Sequence, residues 1–443
     1  MKRFIETLKN IWKIEDLRKR ILYTLGIILI YRLGSFVVLP GIDPSQLGAL
    51  RKQTEDGVLG FIDMFSGGAF SHASIFALGI MPYISASIII QILGMAVPYF
   101  QRLQRDGESG FRKINQITRY LTVVILLLQA PGYLANLHYQ LPETAFALKG
   151  FFFTFSSTVI LIAGTMFVMW LGERITEKGI GNGISLIIMI GIIARLPFAL
   201  SAEFFSRAEE MAGGLVMFLV ELVLLYVVFM FSILLVQGTR RVPVQYAKRV
   251  VGNRQYGGAR QYIPLKVNAA GVMPIIFAQA LMILPVMFTR YGAADEASGF
   301  VAAFTNVGGF WYNFILALLI IVFTYLYTSI TVNPNQIAED LKRNGGFIPG
   351  VKPGRKTVEY LYTIISRITL PGSIFLALVA ILPSFAIMFN VNNQFAQFYG
   401  GTSLLILVGV ILDTLQQVES HLLLRHYDGL MKSGARIKGK GGF

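Results

Sequence analysis

The sequence predicts an all-α membrane protein that crosses the bilayer many times, and two observations predict this class. Of the 443 residues, 54% are hydrophobic and only 14% are charged, whereas ordinary globular chains have about 25% charged residues. The mean hydropathy is +0.61, and the apolar residues form runs long enough for membrane helices, which need about 20 residues each. This composition excludes an ordinary soluble enzyme.

Ten apolar runs predict ten transmembrane helices. They cover about 21–39, 74–97, 120–138, 151–172, 182–199, 213–236, 269–289, 312–332, 362–387 and 402–420. The fifth is short and rich in glycine. Before the first run, residues 1–20 place Phe4, Ile5, Leu8, Ile11 and Trp12 on one helical face. This pattern predicts a helix along the cytoplasmic membrane surface, or a solvated helix that caps the bundle.

The distribution of basic residues predicts the orientation. Counted over alternate loops and both termini, about 31 of the 39 Lys and Arg residues fall on one side, and the loop 237–268 holds seven of them and no acid. Basic loops stay in the cytoplasm. Both termini are therefore expected there, as an even number of spans requires.

The ten spans divide into two halves of five. The N-terminal half is 21–199 and the C-terminal half is 213–420, with an external hinge loop at 200–212. Two halves with an odd number of spans insert in opposite directions, which is the arrangement of an inverted repeat. We therefore expect two pseudo-symmetric, inverted halves.

Residues 57–73 are moderately apolar but too short and polar to cross a bilayer. They precede the second span on the outer side. This segment is either an ordinary outer loop or a re-entrant half-helix, which is allowed only where protein or water satisfies its backbone.

Two cytoplasmic loops are longer than orientation requires. The loop 237–268 interleaves tyrosines with its basic residues, a composition that suits a phosphate-bearing partner. The loop 333–360 has Asn333-Pro334, a polar helical stretch and two Pro-Gly turns. Together with the tail 421–443, these loops predict a docking surface for a soluble partner.

Candidate chemistry is scarce, and the sequence predicts no cofactor and no metal site. The absence of cysteine excludes disulfides and thiolate sites. The string GESG at 107–110 matches intramembrane proteases but falls in a basic loop. Of the charges within or near spans, Arg32 and Arg367 are explained by snorkelling. Glu221 and Asp413 leave a thin case for an ion-coupled transporter, so a passive channel is favoured.

Several long strings carry a family resemblance. They include MFSGGAFSHASIFALGIMPYISASIIIQ (64–91), GESGFRKINQITRY (107–120), GTMFVMWLGERITEKGIGNGIS (164–185), VPVQYAKR (242–249), PLKVNAAGVMP (264–274) and NPNQIAEDLKRNGGFIPGVKPG (333–354). In these strings, and through most of its length, the chain resembles the bacterial SecY family. Members of that family form the channel of the Sec translocase, so the resemblance implies a passive channel and no enzyme.

The resemblance implies a pore closed at its waist by a ring of aliphatic side chains. The matching positions are Ile80, Ile84, Ile188, Ile192, Ile276 and Ile406. Stiff, β-branched side chains suit a narrow apolar neck that excludes ions by dewetting.

The resemblance also implies a plug and a lateral gate. The plug segment would be about 58–72, including Phe61, Met64, Phe65, Ser66, Gly67 and Gly68, and it would move aside during transport. Spans 2 and 3 would face spans 7 and 8 at a gate that releases apolar segments into lipid. Ser85, Gln91 and Gln129 are the expected polar gate residues, through interhelical hydrogen bonds.

The expected partners dock on the cytoplasmic face of a bacterial cytoplasmic membrane. The SecA motor ATPase and the ribosome, including its rRNA phosphates, would supply energy, and precursors with signal sequences would be the cargo. SecE-like and SecG-like small membrane subunits would complete the assembly. The expected docking residues are Arg240, Arg241, Lys248, Arg249, Arg254, Lys352, Arg355 and Tyr427. The family usually has arginine at 352, so either the contact is tuned to a different partner surface or Arg355 compensates.

Overall fold

The computed structural model describes residues 12, 14–48, 50, 58–148, 150–209, 214–246, 249–251, 254–256, 260–279, 281–282 and 309–437. Within these residues, seven helices are long and apolar enough to cross a membrane. The pair Met81–Gly94 and Pro98–Gln104, bent by 101°, raises the number to eight if it forms one span. The polytopic, helical class is confirmed. The predicted number of ten stays a prediction, because the helix Glu15–Gly34 at the first run is not among these seven, and residues 280 and 283–289 of the seventh run lie outside the described residues.

The chain forms two compact units. The first comprises Met1–Phe198 and Val410–Phe443, and the second comprises Ala199–Gly409. The first boundary falls at the predicted division between the halves. The second differs from the prediction, because the last helix contributes its C-terminal part to the first unit.

The first unit contains most of the early helices. They are α1 (Glu15–Gly34), α2 (Val58–Phe65), α3 (Met81–Ala96), α4 (Pro98–Arg105), α5 (Glu108–Gln140), α6 (Phe151–Lys178) and the greater part of α7 (Gly183–Glu209). Glu15 and Asp16 lie in the first turn of α1, where acids stabilise a helix through its dipole. Helix α1 runs without a break from Glu15 to Gly34, so residues 15–20 and most of the first predicted span belong to one helix. Residues 1–11 and 13 of the predicted helix lie outside the described residues.

The core of the first unit joins α5 and α6 to the loop segments between α1 and α3. Fully buried leucines of α5 and the buried ring of Phe153 on α6 pack with Leu39, Leu50 and Phe70. Backbone hydrogen bonds hold the loops in register: the amide of Leu39 donates to the carbonyl of Ala73, and the amide of Ile75 donates to the carbonyl of Val37, each at 2.9 Å. Residues 66–80 are thereby fixed in turns. Helix α3, which corresponds to the second predicted span, therefore begins at Met81 and not at the predicted residue 74.

The second unit is built from the later helices. It includes α8 (Gly214–Gln237), a helical stretch at 273–279, α9 (Phe310–Thr331), α10 (Pro334–Arg343), α11 (Arg355–Met388), α12 (Asn393–Ala396) and the start of α13 (Gly401–Ile437). The Ser384 hydroxyl on α11 donates to Asn313 on α9 at 2.8 Å. Pro334 and the Asn333 side chain, which accepts from the amides of Asn335 and Gln336, begin α10. The polar helix predicted there is confirmed.

The loop 237–268 contains β-structure that the sequence patterns did not predict. Strand β1 (Thr239–Tyr246) pairs antiparallel with β4 (Arg260–Lys266) and with the short β5 (Gly346–Phe347), in the order β4-β1-β5. A second ribbon pairs β2 (Arg249–Val251) with β3 (Arg254–Tyr256). Buried Val242 and Val244 alternate with exposed neighbours along β1, which is the period of a sheet with one covered face.

Two further boundaries differ from the prediction. Helix α7 continues to Glu209, so most of the predicted hinge loop 200–212 is helical and 210–213 lie outside the described residues. Helix α13 continues to Ile437, so most of the predicted tail 421–443 is helical as well. A fall in hydropathy marks the expected membrane surface. A helix can continue past that point, because its end is set by backbone hydrogen bonds and dihedral angles.

Candidate functional site

The plug segment, residues 58–72, is a buried element of the first unit. It consists of α2 followed by turns through Ser66, Gly67 and Gly68. The side chains of Asp63, Met64, Phe65 and Ser66 are between 0% and 6% exposed. Phe61 lies on α2. A buried, short helix whose polar groups bond to protein has the properties expected of a re-entrant segment, and it is unlike an ordinary outer loop.

A buried acid organises the plug segment. The Asp63 carboxylate is fully buried, and its Oδ1 accepts a hydrogen bond of 2.8 Å from the Ser71 amide. Its Oδ2 forms an ion pair with Nη2 of Arg195 on α7. The same guanidinium nitrogen donates to the Ser71 hydroxyl at 3.1 Å. Arg195 therefore contacts both ends of the loop from 63 to 71.

Helices α1 and α5 bind the backbone of the same segment. The Tyr31 hydroxyl donates to the Ser66 carbonyl at 3.1 Å, and Arg32 Nη1 donates to the Gly67 carbonyl at 2.9 Å. The Tyr133 hydroxyl on α5 donates to the Phe70 carbonyl at 3.0 Å. Arg32 was expected to snorkel. It instead satisfies a backbone acceptor of the plug segment, which an isolated sequence position does not reveal.

Two glycines allow α7 to lie against the plug segment. Gly67 has a φ of +65°, and a Cβ there would lie 2.8 Å from the Cα of Gly191. A Cβ on Gly191 would lie 3.2 Å from the Gly67 nitrogen and 3.2 Å from the Phe65 carbonyl oxygen. Glycine is required at 67 by its backbone conformation as well as by space.

The six predicted ring isoleucines divide between the two units. Ile80, Ile84, Ile188 and Ile192 belong to the first unit and are 0–9% exposed. Each pair is spaced by four residues, which places its members on one helical face, and the amide of Ile84 bonds to the carbonyl of Ile80 at 3.1 Å. In the second unit Ile406 is 4% exposed and Ile276 is half-buried.

The predicted gate residues lie on α3 and α5. The Ser85 hydroxyl donates to the Met81 carbonyl at 3.1 Å, and the Gln91 amide donates to the Ser87 hydroxyl at 3.3 Å. These two bonds run within α3, whereas a gate contact was expected between helices. Gln129 is half-buried on α5. Their gate role stays a prediction.

Two of the predicted docking residues, Arg240 and Arg241, lie on the three-stranded sheet of the second unit, which we call the docking sheet (β1, β4 and β5). Val242, Val244 and Leu265 pack with Leu341, Ile348 and Leu361, so the sheet has a rigid apolar side. Arg240 and Arg241 on β1 are exposed, opposite Leu265 and Pro264 of β4. Arg249 and Arg254 lie on the β2–β3 ribbon. Lys248 lies outside the described residues.

The Pro-Gly turns hold the second group of basic residues. Gly350 and Gly354 have φ values of +83° and +101°, which glycine adopts without strain. Lys352 is exposed, and the Arg355 side chain is 94% exposed, 3.9 Å from Glu359. Both alternatives for position 352 remain compatible with this arrangement. Tyr427 lies on α13.

Glu221 belongs to a buried ionic cluster of the second unit. Arg207 on α7 contacts the carboxylates of Glu203 at 3.0 Å and Glu221 at 2.8 Å, and it donates to the Asn390 carbonyl at 2.9 Å. The remaining Glu203 oxygen accepts from the Asn392 amide at 2.8 Å. All three charged side chains are at most 6% exposed. The arrangement is that of a structural cluster, and it weakens the transporter interpretation of Glu221.

The other two chemical candidates are also weakened. Asp413 is exposed on α13. The Ser109 hydroxyl is exposed and donates to the Asp106 carbonyl at 3.1 Å. Among the described residues, no group of three or more His, Cys, Asp or Glu side chains is placed to hold a metal ion.

Sequence reasoning missed Asp63, Arg195 and Tyr31. A signal existed for the two charges: each is a lone ionisable residue in an apolar stretch, and such residues are usually paired. The two charged residues are 132 residues apart in the sequence, so neither of them indicated the other as its partner.

The fold and this site define a multi-pass helical membrane protein in which a short buried helix is held among the spans. A family model described as SecY matches residues 74–415. The protein translocase subunit SecY of Streptomyces scabiei is 42% identical over 433 residues, which is 95% of this chain and 98% of the relative. The chain belongs to the SecY family.

Solved structures agree on the fold. One concerns the plug domain of the SecY protein, described as stabilising the closed state of the translocation channel and maintaining a membrane seal. It has a TM-score of 0.63 at 17% identity, with 91% of this chain and 92% of that chain covered. A Sec61 chain from the canine ribosome–channel complex of the endoplasmic reticulum has a TM-score of 0.57 at 16% identity, with 91% and 92% covered.

Proposed function

We propose that this chain is the central protein-conducting channel of a bacterial Sec translocase. Unfolded secretory proteins cross the cytoplasmic membrane through it, and transmembrane segments leave sideways into lipid. Family membership over nearly the whole chain supports this function. The observation that carries it at the level of residues is the plug segment, buried and hydrogen-bonded to α7, the helix that bears Ile188 and Ile192.

The ring and the plug would close the resting channel together. Isoleucine side chains offer a moving polypeptide no hydrogen bonds, so an apolar ring resists ions without retaining the cargo. Tyr31 and Arg32 donate hydrogen bonds to the backbone carbonyls of Ser66 and Gly67 in the turns of the plug segment. These bonds are exchangeable with water, so the plug segment can leave and return without covalent change.

The gate and the overall arrangement are part of the proposal. Helices α3 and α5 would form one side of the gate, with Ser85, Gln91 and Gln129 as its polar residues. Both termini would lie in the cytoplasm, and the two halves would be inverted repeats. A SecE-like subunit would clamp the halves, and a SecG-like subunit would attach.

Energy would come from partners on the cytoplasmic face. The docking sheet presents Arg240 and Arg241 on a rigid strand, and the Pro-Gly turns present Lys352 and Arg355. Such fixed, exposed cations suit the phosphates of rRNA and the acidic surface of a motor ATPase such as SecA. The chain itself would perform no covalent chemistry.

Reconstitution tests this function. The chain, its small partner subunits and the motor ATPase are placed in liposomes with a radiolabelled precursor that carries a signal sequence. We expect ATP to make the precursor resistant to external protease. Motor binding without any protected precursor would contradict the proposal. Small-solute uptake that Glu221→Gln abolishes would favour a transporter instead.

A further inference from the structure

The plug segment is bound in two physically different ways. Tyr31, Arg32 and Tyr133 donate to backbone carbonyls of the segment, and such bonds do not depend on its side chains. The contact between Asp63 and Arg195 differs because both partners carry a full charge and both are side chains. It joins the segment to α7, the helix that carries Ile188 and Ile192.

The two side chains of this ion pair differ in burial. Asp63 is fully buried, whereas 26% of the Arg195 side chain is exposed. The aspartate therefore depends on its protein partners, Arg195 and the amide of Ser71. The arginine reaches solvent when the aspartate is removed. Loss of one charge of a buried pair is far more costly than loss of both, because it leaves an uncompensated charge.

We propose that the Asp63–Arg195 ion pair holds the plug segment in its closed position and sets how often it opens. Arg195 contacts Asp63 and Ser71 together, so one guanidinium fixes both ends of the turn that contains Gly67 and Gly68. Departure of the segment breaks the pair and exposes both charges to water. This inference rests on the proposed function only in taking that departure to be the opening of a channel.

Accessibility of a single thiol measures the opening directly. The chain has no cysteine, and Ala69 is fully buried in the segment, so Ala69→Cys supplies one small, buried thiol. The full chain in membranes with its partner subunits is treated with a membrane-impermeant maleimide from the outer side. The labelling rate reports the fraction of time the segment is displaced.

We expect Arg195→Gln to raise the labelling rate by about tenfold or more, because it leaves Asp63 charged and buried. Asp63→Asn is expected to raise the rate less, since the side-chain amide oxygen still accepts from the Ser71 amide and Arg195 reaches solvent. The double variant should label more slowly than the product of the two single effects predicts, which is the signature of direct coupling. Arg195→Lys keeps the charge and should stay near the parental rate.

The matched control is Arg119→Gln. Arg119 forms an ion pair of 2.7 Å with Glu173 between α5 and α6 of the same unit, in a more exposed position, and its loss should not alter labelling. Parental rates in both single variants, or rates that multiply in the double variant, would overturn the inference. Precursor protection, measured on the same membranes, separates the claims. Protected precursor with unchanged labelling refutes the ion-pair role, and labelling changes without any protected precursor refute the channel function.

Discussion

At the scale of single residues, the fully buried charges among the described residues all contact a side chain of opposite charge. Arg207 is shared between Glu203 and Glu221, so two buried carboxyl groups contact one guanidinium. Within the described part of the chain, Oε2 of Glu221 has no hydrogen-bond partner. The two glutamates therefore differ: Glu203 uses both oxygens, and Glu221 uses one.

This difference predicts unequal effects on stability. Arg207→Gln leaves two buried carboxylates without their cation, and we expect it to lower the free energy of unfolding by about 3–5 kcal/mol. Glu221→Gln leaves Arg207 paired with Glu203 and keeps a side-chain oxygen that can accept from Arg207, so it should cost about 1 kcal/mol or less. Thermal unfolding of the full chain in detergent measures both.

Arg174→Gln is the control for this comparison, because Arg174 forms an exposed pair with Glu177 at 2.8 Å. Such pairs contribute about 0–1 kcal/mol. An Arg207→Gln variant as stable as this control would show that the cluster is not structural.

Residue type alone marked some site residues as unusual in the sequence and left others unmarked. The six ring isoleucines were identified only by resemblance, since an isoleucine in a membrane helix is ordinarily a packing residue. Arg32 and Glu221 were recognised as unusual from sequence, but their partners were not. A partner such as the Gly67 carbonyl is a backbone atom, and no residue type marks it.

At the scale of elements, the contact between α7 and the plug segment depends on missing side chains. Gly191 lies in a helix, where alanine is normally better than glycine by about 1 kcal/mol. A Cβ at 191 would nevertheless approach Gly67 and Phe65 within 3.2–3.3 Å. The same substitution at Gly26 on α1 would meet nothing within 4 Å.

We therefore expect Gly191→Ala to loosen the plug segment, while Gly26→Ala leaves it unchanged. Hydrogen exchange of the amides of Gly68 and Phe70 reports this, because they bond to the Asp63 carbonyl and the Ser66 hydroxyl. Exchange should be several-fold faster in Gly191→Ala only. Equal protection in both variants would mean that α7 does not constrain the segment.

The docking sheet gives a second prediction at this scale. Replacing Arg240 and Arg241 together by alanine should weaken ribosome binding by about tenfold and flatten its dependence on salt, because each phosphate contact contributes to the salt slope. Arg112→Ala is the control, since Arg112 is exposed on α5 and paired with Glu108. Ribosome binding that changes neither with salt concentration nor with the double substitution would refute the docking role.

The errors in the predicted element boundaries come from what an apolar run can and cannot indicate. Apolar runs predicted most of the long helices, because burial in lipid requires them. They missed the β-sheet of 237–268, where the apolar alternation at Val242 and Val244 is only two residues long. The apolar run also predicted too early an end for α7. Charged residues such as Glu203 and Arg207 are typical of loops, whereas here they form a buried ion pair within the helix.

At the scale of the whole molecule, the sequence predicted a polytopic α-helical fold, and the family comparison confirms that class. Membrane orientation follows from the basic loops and stays a prediction, as do the inverted relation of the halves and the number of spans. These properties depend on the bilayer and on partner subunits as well as on the chain. The proposed pore ring requires that a polypeptide in transit passes the six isoleucines.

Site-specific photo-crosslinking to a translocation-arrested secretory precursor tests that role most directly. A photoreactive residue replaces Ile80, Ile188, Ile276 or Ile406 in turn. Leu128 on α5 and Leu219 on α8, which are 76% and 62% exposed, serve as exposed control positions on helices long and apolar enough to cross a membrane. We predict precursor crosslinks from the four ring positions and none from the two leucines. A partnered, correctly inserted channel that gives no ring crosslinks, or equal crosslinks from both sets, would contradict a pore lined by these isoleucines.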